Sequence, residues 1–143
     1  MAAFLTESEE KKILTSISEA EKQTSGEIRV HVESKCEGEP VARAVEVFGK
    51  LGMLATSDRN GVLIYIAVDD KKLAIIGDKG IDEVVPEDFW KTSRDFMTEQ
   101  FHNGAFADGI IGAVKIAGEQ LETFFPCKTD DSDELSNDIS IGE

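Results

Sequence analysis

The spacing of apolar residues along the chain predicts four helices. The first follows Thr6 and Glu9, whose separation is typical of a capping box, and the second starts at Pro40, a residue suited to a first helical turn. A third helix is expected to start at Pro86 and to be stopped by His102–Gly104, and a fourth follows it. The apolar stripes of the four helices are Ile13, Leu14, Ile17 and Ala20; Val41, Ala44, Val45, Phe48 and Leu51; Phe89, Trp90, Met97 and Phe101; and Ile110, Val114, Ala117, Leu121 and Phe124.

Three segments between these helices have the patterns of β-strands. Glu27–Glu33 alternates strictly between apolar and polar residues, so we expect its polar face to be partly exposed to solvent. Val62–Val68 carries no charge, which is typical of a central strand buried on both faces. Leu73–Ile76 follows after a short turn, and the two segments are predicted to form an antiparallel hairpin. The two faces of the central strand are predicted to carry Ile64 with Ile66 and Leu63 with Tyr65.

The predicted order of elements is α-β-α-β-β-α-α. A helix lies between the first two strands, so these strands should run parallel, and the sheet as a whole should be mixed. We therefore predict an α/β fold, a three-layer α/β/α sandwich with a small mixed β-sheet flanked by helices on both faces. This domain covers residues 1–126, and residues 127–143 are predicted to form an acidic, disordered C-terminal tail.

Composition and charge narrow the range of partners. The chain has 143 residues, which suits a single core, and a formal net charge of −14. Such an excess of acidic residues argues against binding of nucleic acid or anionic lipid by bulk electrostatics. The sequence contains no apolar run of about 18 residues that could span a membrane, and its N-terminal segment lacks the pattern of a secretory signal. We therefore expect a cytoplasmic location.

The two cysteines, Cys36 and Cys127, lack the spacing of metal ligands. A disulfide between them would depend on geometry that the sequence does not give. Two free thiols agree better with the reducing compartment expected for this chain.

Short motifs at the ends of the predicted elements form a recognisable series. Ser25–Val30 leads into the first strand, and Asp58–Ile64 holds an Asn-Gly turn before the central strand. Ile76–Ile81 contains a sharp loop, Gly77–Gly80, after the third strand, and Phe101–Gly104 with Asp108–Gly109 forms the link before the last helix. In this order, over about residues 5–125, the motifs resemble those of the TPM domain family, whose fold is shared by thylakoid acid phosphatases.

The resemblance implies an α/β/α sandwich, a divalent-cation site and, from the plant relatives, acid phosphatase activity. Many bacterial relatives carry an export signal and a C-terminal membrane segment, and neither pattern is found in this sequence. A soluble bacterial member is therefore expected, without an envelope or photosystem role. Where the family often has an aspartate this chain has Glu87, and the neighbouring Asp88 is a candidate to replace it.

Strand polarity brings oxygen ligands to one end of the predicted sheet, because the second strand begins where the antiparallel third strand ends. The candidate metal ligands at this end are Asp58, Asn60, Asp78, Glu87 and Asp88, whereas Asp69 and Asp70 belong to the opposite end. Hard oxygen ligands from loops suit a divalent cation, and we expect Ca²⁺ in preference to Mg²⁺. Each residue taken singly also has an ordinary explanation, as a turn residue or as an acid in a first helical turn.

The sequence does not reveal a complete catalytic apparatus. His31 is expected on a solvated strand face and His102 at a helix C-terminus, and no nucleophile is paired with a base. Two hypotheses follow. The chain is a divalent-cation-binding domain with weak metal-dependent phosphatase activity on phosphate-containing small molecules, or it is a non-catalytic protein-interaction domain stabilised by a bound cation.

Overall fold

The structure is a computed structural model that describes residues 5–55, 59–126 and 140–141. Its helices are α1 (Glu7–Glu21), α2 (Pro40–Lys50), α3 (Lys79–Asp82), α4 (Lys91–His102) and α5 (Phe106–Phe124), with a 3₁₀ turn at Met53–Ala55. Its strands are β1 (Glu27–Glu33), β2 (Gly61–Ala67), β3 (Lys72–Gly77) and the two-residue β4 (Ser140–Ile141).

The first two helices start where their local signals predict. The Thr6 hydroxyl accepts a hydrogen bond from the Glu9 N–H at 3.1 Å, and Glu9 Oε1 accepts one from the Thr6 N–H at 2.8 Å, which completes the capping box of α1. Pro40 lies in the first turn of α2, where its missing N–H costs no intrahelical hydrogen bond.

The strand β2 is central in the sheet, whose order is β3-β2-β1-β4. Strand β1 runs parallel to it, with Val30 opposite Ile64, and β3 runs antiparallel to it, with Ile75 opposite Ile64. Both relations confirm the predictions. On its other edge β1 pairs in parallel with β4.

The predicted disordered tail, residues 127–143, lies outside the described residues except at Ser140 and Ile141. These two residues pair with His31 and Val32 of β1. For the other residues of the tail, Cys127 among them, the prediction stays a prediction.

The two faces of the sheet support two separate cores. On one face, Ile64 and Ile66 pack in a cluster with Ile28, Val30 and Val32 of β1 and with side chains of α1, α4 and α5. On the other face, Leu63 and Tyr65 pack against Ala44, Val47 and Phe48 of α2. This distribution confirms the predicted faces of the central strand and the three-layer α/β/α arrangement.

The structure corrects the prediction of a helix from Pro86. Helix α4 begins at Lys91, and residues 87–90 form turns. Phe89 and Trp90 are both buried, with their ring centroids 4.6 Å apart in an edge-to-face arrangement. Consecutive residues of a helix do not share one face, so burial of both rings in the same core favours a non-helical backbone there.

The structure also corrects the loop predicted at Gly77–Gly80. Asp78 is the N-cap of α3, because its Oδ1 accepts a hydrogen bond from the Lys79 N–H at 2.7 Å. A short helix therefore follows β3 directly.

Helix α5 packs against both α1 and α4. A Cβ added to Gly118 would lie 2.8 Å from the Cβ of Ala20 in α1, closer than two such carbon atoms normally approach. The glycine therefore allows α1 and α5 to pack closely. In the described part of the chain, no helix combines the length and the apolar character that a bilayer span requires.

We predict that Gly118→Ala lowers the free energy of unfolding by about 1–3 kcal/mol, because overpacking between α1 and α5 outweighs the better helix propensity of alanine. Gly49→Ala is the matched control, since Gly49 lies near the end of α2 with nothing within 4 Å of an added Cβ. That control should be neutral or stabilising by up to about 1 kcal/mol. Urea unfolding measures the free energy of unfolding of both variants. Equal changes in that free energy for Gly118→Ala and Gly49→Ala would contradict the proposed close packing of α1 and α5.

Candidate functional site

The turn before β2 and the exit of β3 meet at one end of the sheet, as strand polarity predicts. The Asp78 N–H donates to the Gly61 carbonyl at 2.9 Å, and the Gly80 N–H donates to the Arg59 carbonyl at 2.8 Å. These bonds hold the turn against the start of α3. Asp78 and Arg59 are therefore placed side by side.

Arg59 binds the Asp78 carboxylate with two parallel hydrogen bonds. Its Nε donates to Oδ2 at 2.7 Å, and one terminal guanidinium nitrogen donates to Oδ1 at 2.8 Å. The side chain of Asp78 is 5% exposed and that of Arg59 is 43% exposed. The bond to Asp78 raises the pKa of Arg59 above its ordinary value. A buried carboxylate is thus neutralised by a guanidinium that lies partly in water.

A second carboxylate, Asp82, lies one helical turn beyond Asp78 in α3, and its N–H donates to the Asp78 carbonyl at 3.1 Å. Burial raises the pKa of Asp82, and the negative charge of Asp78 raises it further. The charge of Asp78 is therefore felt beyond its pair with Arg59. The four-residue spacing of Asp78 and Asp82 is the sequence signal that could have indicated that Asp82 lies one helical turn from Asp78.

The other predicted ligands lie in different surroundings. Asn60 is buried, and its side-chain amide donates to the Ser25 hydroxyl at 3.3 Å. The alternation along β2 places Asn60 on the same face of the sheet as Val62 and Ile64. The alternation along β3 places Asp78 with Ala74 and Ile76, on the other face. The two positions therefore belong to opposite faces of the sheet.

Glu87 and Asp88 are exposed in the turns before α4, and Glu87 lines an open cleft with Asp82. Asp58 lies outside the described residues. Among residues 5–55 and 59–126, no three His, Cys, Asp or Glu side chains are grouped closely enough to hold a metal ion. The metal site therefore stays a prediction, and Arg59 already satisfies the carboxylate at its centre.

Asp69 and Asp70 lie at the opposite end of the sheet, in the turn between β2 and β3. Asp70 Oδ2 accepts a hydrogen bond from the Cys36 N–H at 2.7 Å. Its carboxylate therefore holds the segment that follows β1. His102 lies in the last turn of α4 and is exposed, in the position expected from the sequence.

A buried polar cluster centred on Glu33 was not predicted from the sequence. Arg43 Nε donates to Glu33 Oε2 and a terminal nitrogen of Arg43 donates to Oε1, both at 2.9 Å. The Tyr65 hydroxyl donates to Oε2, and His31 Nε2 donates to Oε1 at 3.0 Å. The four side chains, His31, Glu33, Arg43 and Tyr65, are called the Glu33 cluster below.

The Glu33 cluster corrects the expectation of a solvated face on β1. His31 is 6% exposed, Glu33 is 2% exposed, and the His31 ring stacks on Tyr65 with a centroid distance of 5.9 Å. The partners of Glu33 come from α2 and β2, ten and 32 residues away in the sequence. The alternation of β1 identifies a polar face, but these distant partners allow that face to be buried.

The bonds within the cluster keep Glu33 ionised. Burial raises the pKa of Glu33, but hydrogen bonds from Arg43, Tyr65 and His31 together outweigh it and lower the pKa to about 2. Burial and the bond to Glu33 raise the pKa of the Tyr65 hydroxyl above its ordinary value, so this group stays protonated. The cluster is an ion pair of Glu33 and Arg43 with two further hydrogen-bond donors, Tyr65 and His31, and this arrangement favours structural support over proton transfer.

Comparison with known proteins gives one family and a set of structural relatives that includes the following two. The model of the TPM domain family matches residues 1–120. The NMR structure of the BA42 protein from the psychrophilic bacterium Bizionia argentinensis is 50% identical, with a TM-score of 0.93 over 99% of this chain and 98% of that chain. The N-terminal domain of the cg2496 protein from Corynebacterium glutamicum is 13% identical, with a TM-score of 0.67 over 82% of this chain and 74% of that chain. No curated protein matches the chain.

We predict that Glu33→Gln destabilises the fold by about 3 kcal/mol at pH 7, which corresponds to the fall in pKa from 4.5 to about 2. The native pKa lies below the unfolded value, so this contribution is complete above the unfolded pKa and is lost as the pH falls through the native one. The difference from wild type should therefore shrink by about 2 kcal/mol between pH 7 and pH 3.

Urea unfolding at the two pH values measures this difference. Glu37→Gln, at an exposed position in the loop after β1, is the control for loss of one negative charge. A Glu33→Gln penalty that does not change with pH would show that the ionised carboxylate contributes little.

Proposed function

The chain belongs to the TPM domain family, and we propose that it binds a divalent cation, Ca²⁺ in preference to Mg²⁺, at Asp78 in competition with Arg59. The observation that supports this proposal is the Asp78 carboxylate itself, which is buried and bonded to the guanidinium of Arg59, a side chain that is itself 43% exposed. The guanidinium can withdraw into water when a cation takes its place, because Arg59 is partly exposed and the buried carboxylate then stays paired with a positive charge.

The chemistry of the donors fits a hard cation. Asp78 and Asp82 offer carboxylate oxygens, and Asp58, next to Arg59 in the sequence, would supply a third carboxylate. Partial burial raises the pKa of Asp82 and the negative charge of Asp78 raises it further, so the two carboxylates repel each other. A divalent cation would relieve that repulsion more fully than one guanidinium does. Asn60, on the opposite face of the sheet from Asp78, and Glu87 and Asp88, in the turns before α4, stay predicted ligands.

A divalent cation at this position would supply Lewis-acid activation of water toward a phosphate monoester, the chemistry expected of a weak acid phosphatase. The residues of this chain would then hold the cation and keep the surroundings anionic. Within the described residues, no nucleophile lies beside a base at this end of the sheet, so the phosphatase part of the proposal depends on the cation.

A second candidate, a non-catalytic interaction domain, is supported by exposed apolar residues near the same end. Val45 on α2 is 59% exposed, and Leu54 in the 3₁₀ turn is 53% exposed. Val45 and Leu54 line one open cleft with Asp78. A cation at Asp78 would then stabilise a binding surface.

Chelator-sensitive turnover of a chromogenic phosphate ester would favour the enzyme, and a cation-dependent rise in melting temperature without turnover would favour the interaction domain.

We predict that Asp78→Asn lowers the affinity for Ca²⁺ at least about tenfold, because it removes a charge and an oxygen ligand. Arg59→Gln should raise the affinity about two- to fivefold, because it removes the competing cation. Asp58→Asn should also weaken binding. Calorimetric titration with CaCl₂ measures all three variants.

Two controls make the titration decisive. Asp70→Asn removes a carboxylate at the far end of a seven-residue strand, about 20 Å away, and should leave the affinity unchanged. Arg94→Gln removes a positive charge from an exposed position on α4 and should have the same lack of effect. Equal affinities for wild type and Asp78→Asn would exclude Asp78 from the site, and weaker binding by Arg59→Gln would show that Arg59 supports the cation.

A further inference from the structure

A cleft at the other end of the sheet has a chemistry of its own. It has a volume of about 390 Å³ and lies where the β2–β3 turn meets the end of α4 and the start of α5. This volume falls within the range of small-molecule sites, about 300–1,000 Å³. The cleft is called the distal cleft below, and neither the Asp78 end nor the Glu33 cluster contributes to its described lining.

The floor and walls of the distal cleft are apolar. Ile66 is buried beneath it, while four other apolar side chains are only partly buried, namely Val68, Leu73, Phe101 and Phe106. The rings of Phe101 and Phe106 stack on each other with centroids 4.7 Å apart and planes at 26°. Partly open aromatic and aliphatic surface of this kind favours a flat or short apolar ligand body.

The rim of the distal cleft is cationic, although the chain as a whole has a net charge of −14. Its described lining includes Lys71, Lys72 and His102 and contains no Asp or Glu. The Lys72 ammonium is already bonded to the carbonyls of Cys36 and Gly38, at 3.0 and 2.7 Å, so it fixes the turn. Lys71 and His102 are exposed and remain available to a ligand.

The backbone of Lys71 supports a role for its side chain. Its φ of 54° lies in the left-handed region, which favours glycine and is costly for other residues. The turn could therefore form at lower cost with glycine. A lysine at this position adds a positive charge at the mouth of an apolar cleft.

We propose that the distal cleft binds a small amphipathic anion, with an aromatic or short aliphatic body against Phe101 and Phe106 and a single anionic head at Lys71 and His102. The apolar wall supplies the burial, and the cationic rim selects the charge. This site is separate from the cation site at Asp78, so either assignment can fail without the other.

The test uses two fluorescent probes with the same ring system. 1-Anilinonaphthalene-8-sulfonate carries an anionic head, and N-phenyl-1-naphthylamine lacks it. The double variant Lys71→Gln/His102→Gln should weaken binding of the sulfonate about tenfold and change binding of the neutral probe less than about twofold. Thr98→Trp, at an exposed lining position on α4, should fill the cleft and weaken both probes at least about tenfold.

The matched control is Lys12→Gln/Lys115→Gln, which removes two positive charges from a separate cleft between α1 and α5 and should leave both affinities unchanged. Melting curves and amide NMR spectra of each variant establish that it is folded, and amide shifts on sulfonate binding should centre on residues 98–106. The proposal is overturned if wild type binds neither probe, if the Lys71/His102 variant keeps full affinity for the sulfonate or loses both probes equally, or if the loss follows the control variant.

Discussion

Burial of both faces of β2 is the constraint on which the rest of the structure depends. All seven residues of Gly61–Ala67 are buried, so the backbone groups on both edges need strand partners, and the side chains on both faces need helices. Strands β1 and β3 provide the strand partners on the two edges of β2. Helix α2 covers one face of the sheet, and α1, α4 and α5 cover the other. With the middle of the domain closed in this way, a ligand has access mainly at the two ends of the sheet.

The Asp78 end, the Glu33 cluster and the distal cleft follow three different electrostatic rules. Glu33 is enclosed by Arg43, Tyr65 and His31, so its charge is fully compensated and serves the fold. Asp78 is compensated only by a partly exposed arginine, with a second carboxylate nearby, so its charge is open to exchange. The distal cleft has the opposite sign, because its described rim is cationic on an acidic protein. On these proposals, one small domain separates a structural ion pair, a cation site and an anion site.

The sequence was sufficient for features that depend on local pattern and insufficient for those that depend on distant partners. The uncharged run of β2 predicts its central place and the faces of Ile64 and Tyr65, and the order of strands predicts that Asp78 lies beside the turn before β2. The burial of Glu33 could not be predicted, because Tyr65 is 32 residues away and only the fold brings them together. The pairing of Arg59 with Asp78 has the same origin, over 19 residues. The late start of α4 reflects burial of Phe89 and Trp90 in one core, a tertiary effect that helical spacing alone does not reveal.

The proposed exchange of Arg59 for a divalent cation at Asp78 can be tested by a ¹⁵N NMR titration with CaCl₂ that resolves the arginine Nε–H signals. As Ca²⁺ is added, the Arg59 Nε–H signal should move toward that of a solvent-exposed guanidinium. The amides of Asp78, Lys79 and Asp82 should shift in parallel with it, and the Arg43 Nε–H signal, held by Glu33, should stay in place. An unchanged Arg59 signal at saturating Ca²⁺, or amide shifts centred on the turn at Asp69–Lys71, would contradict the proposed exchange.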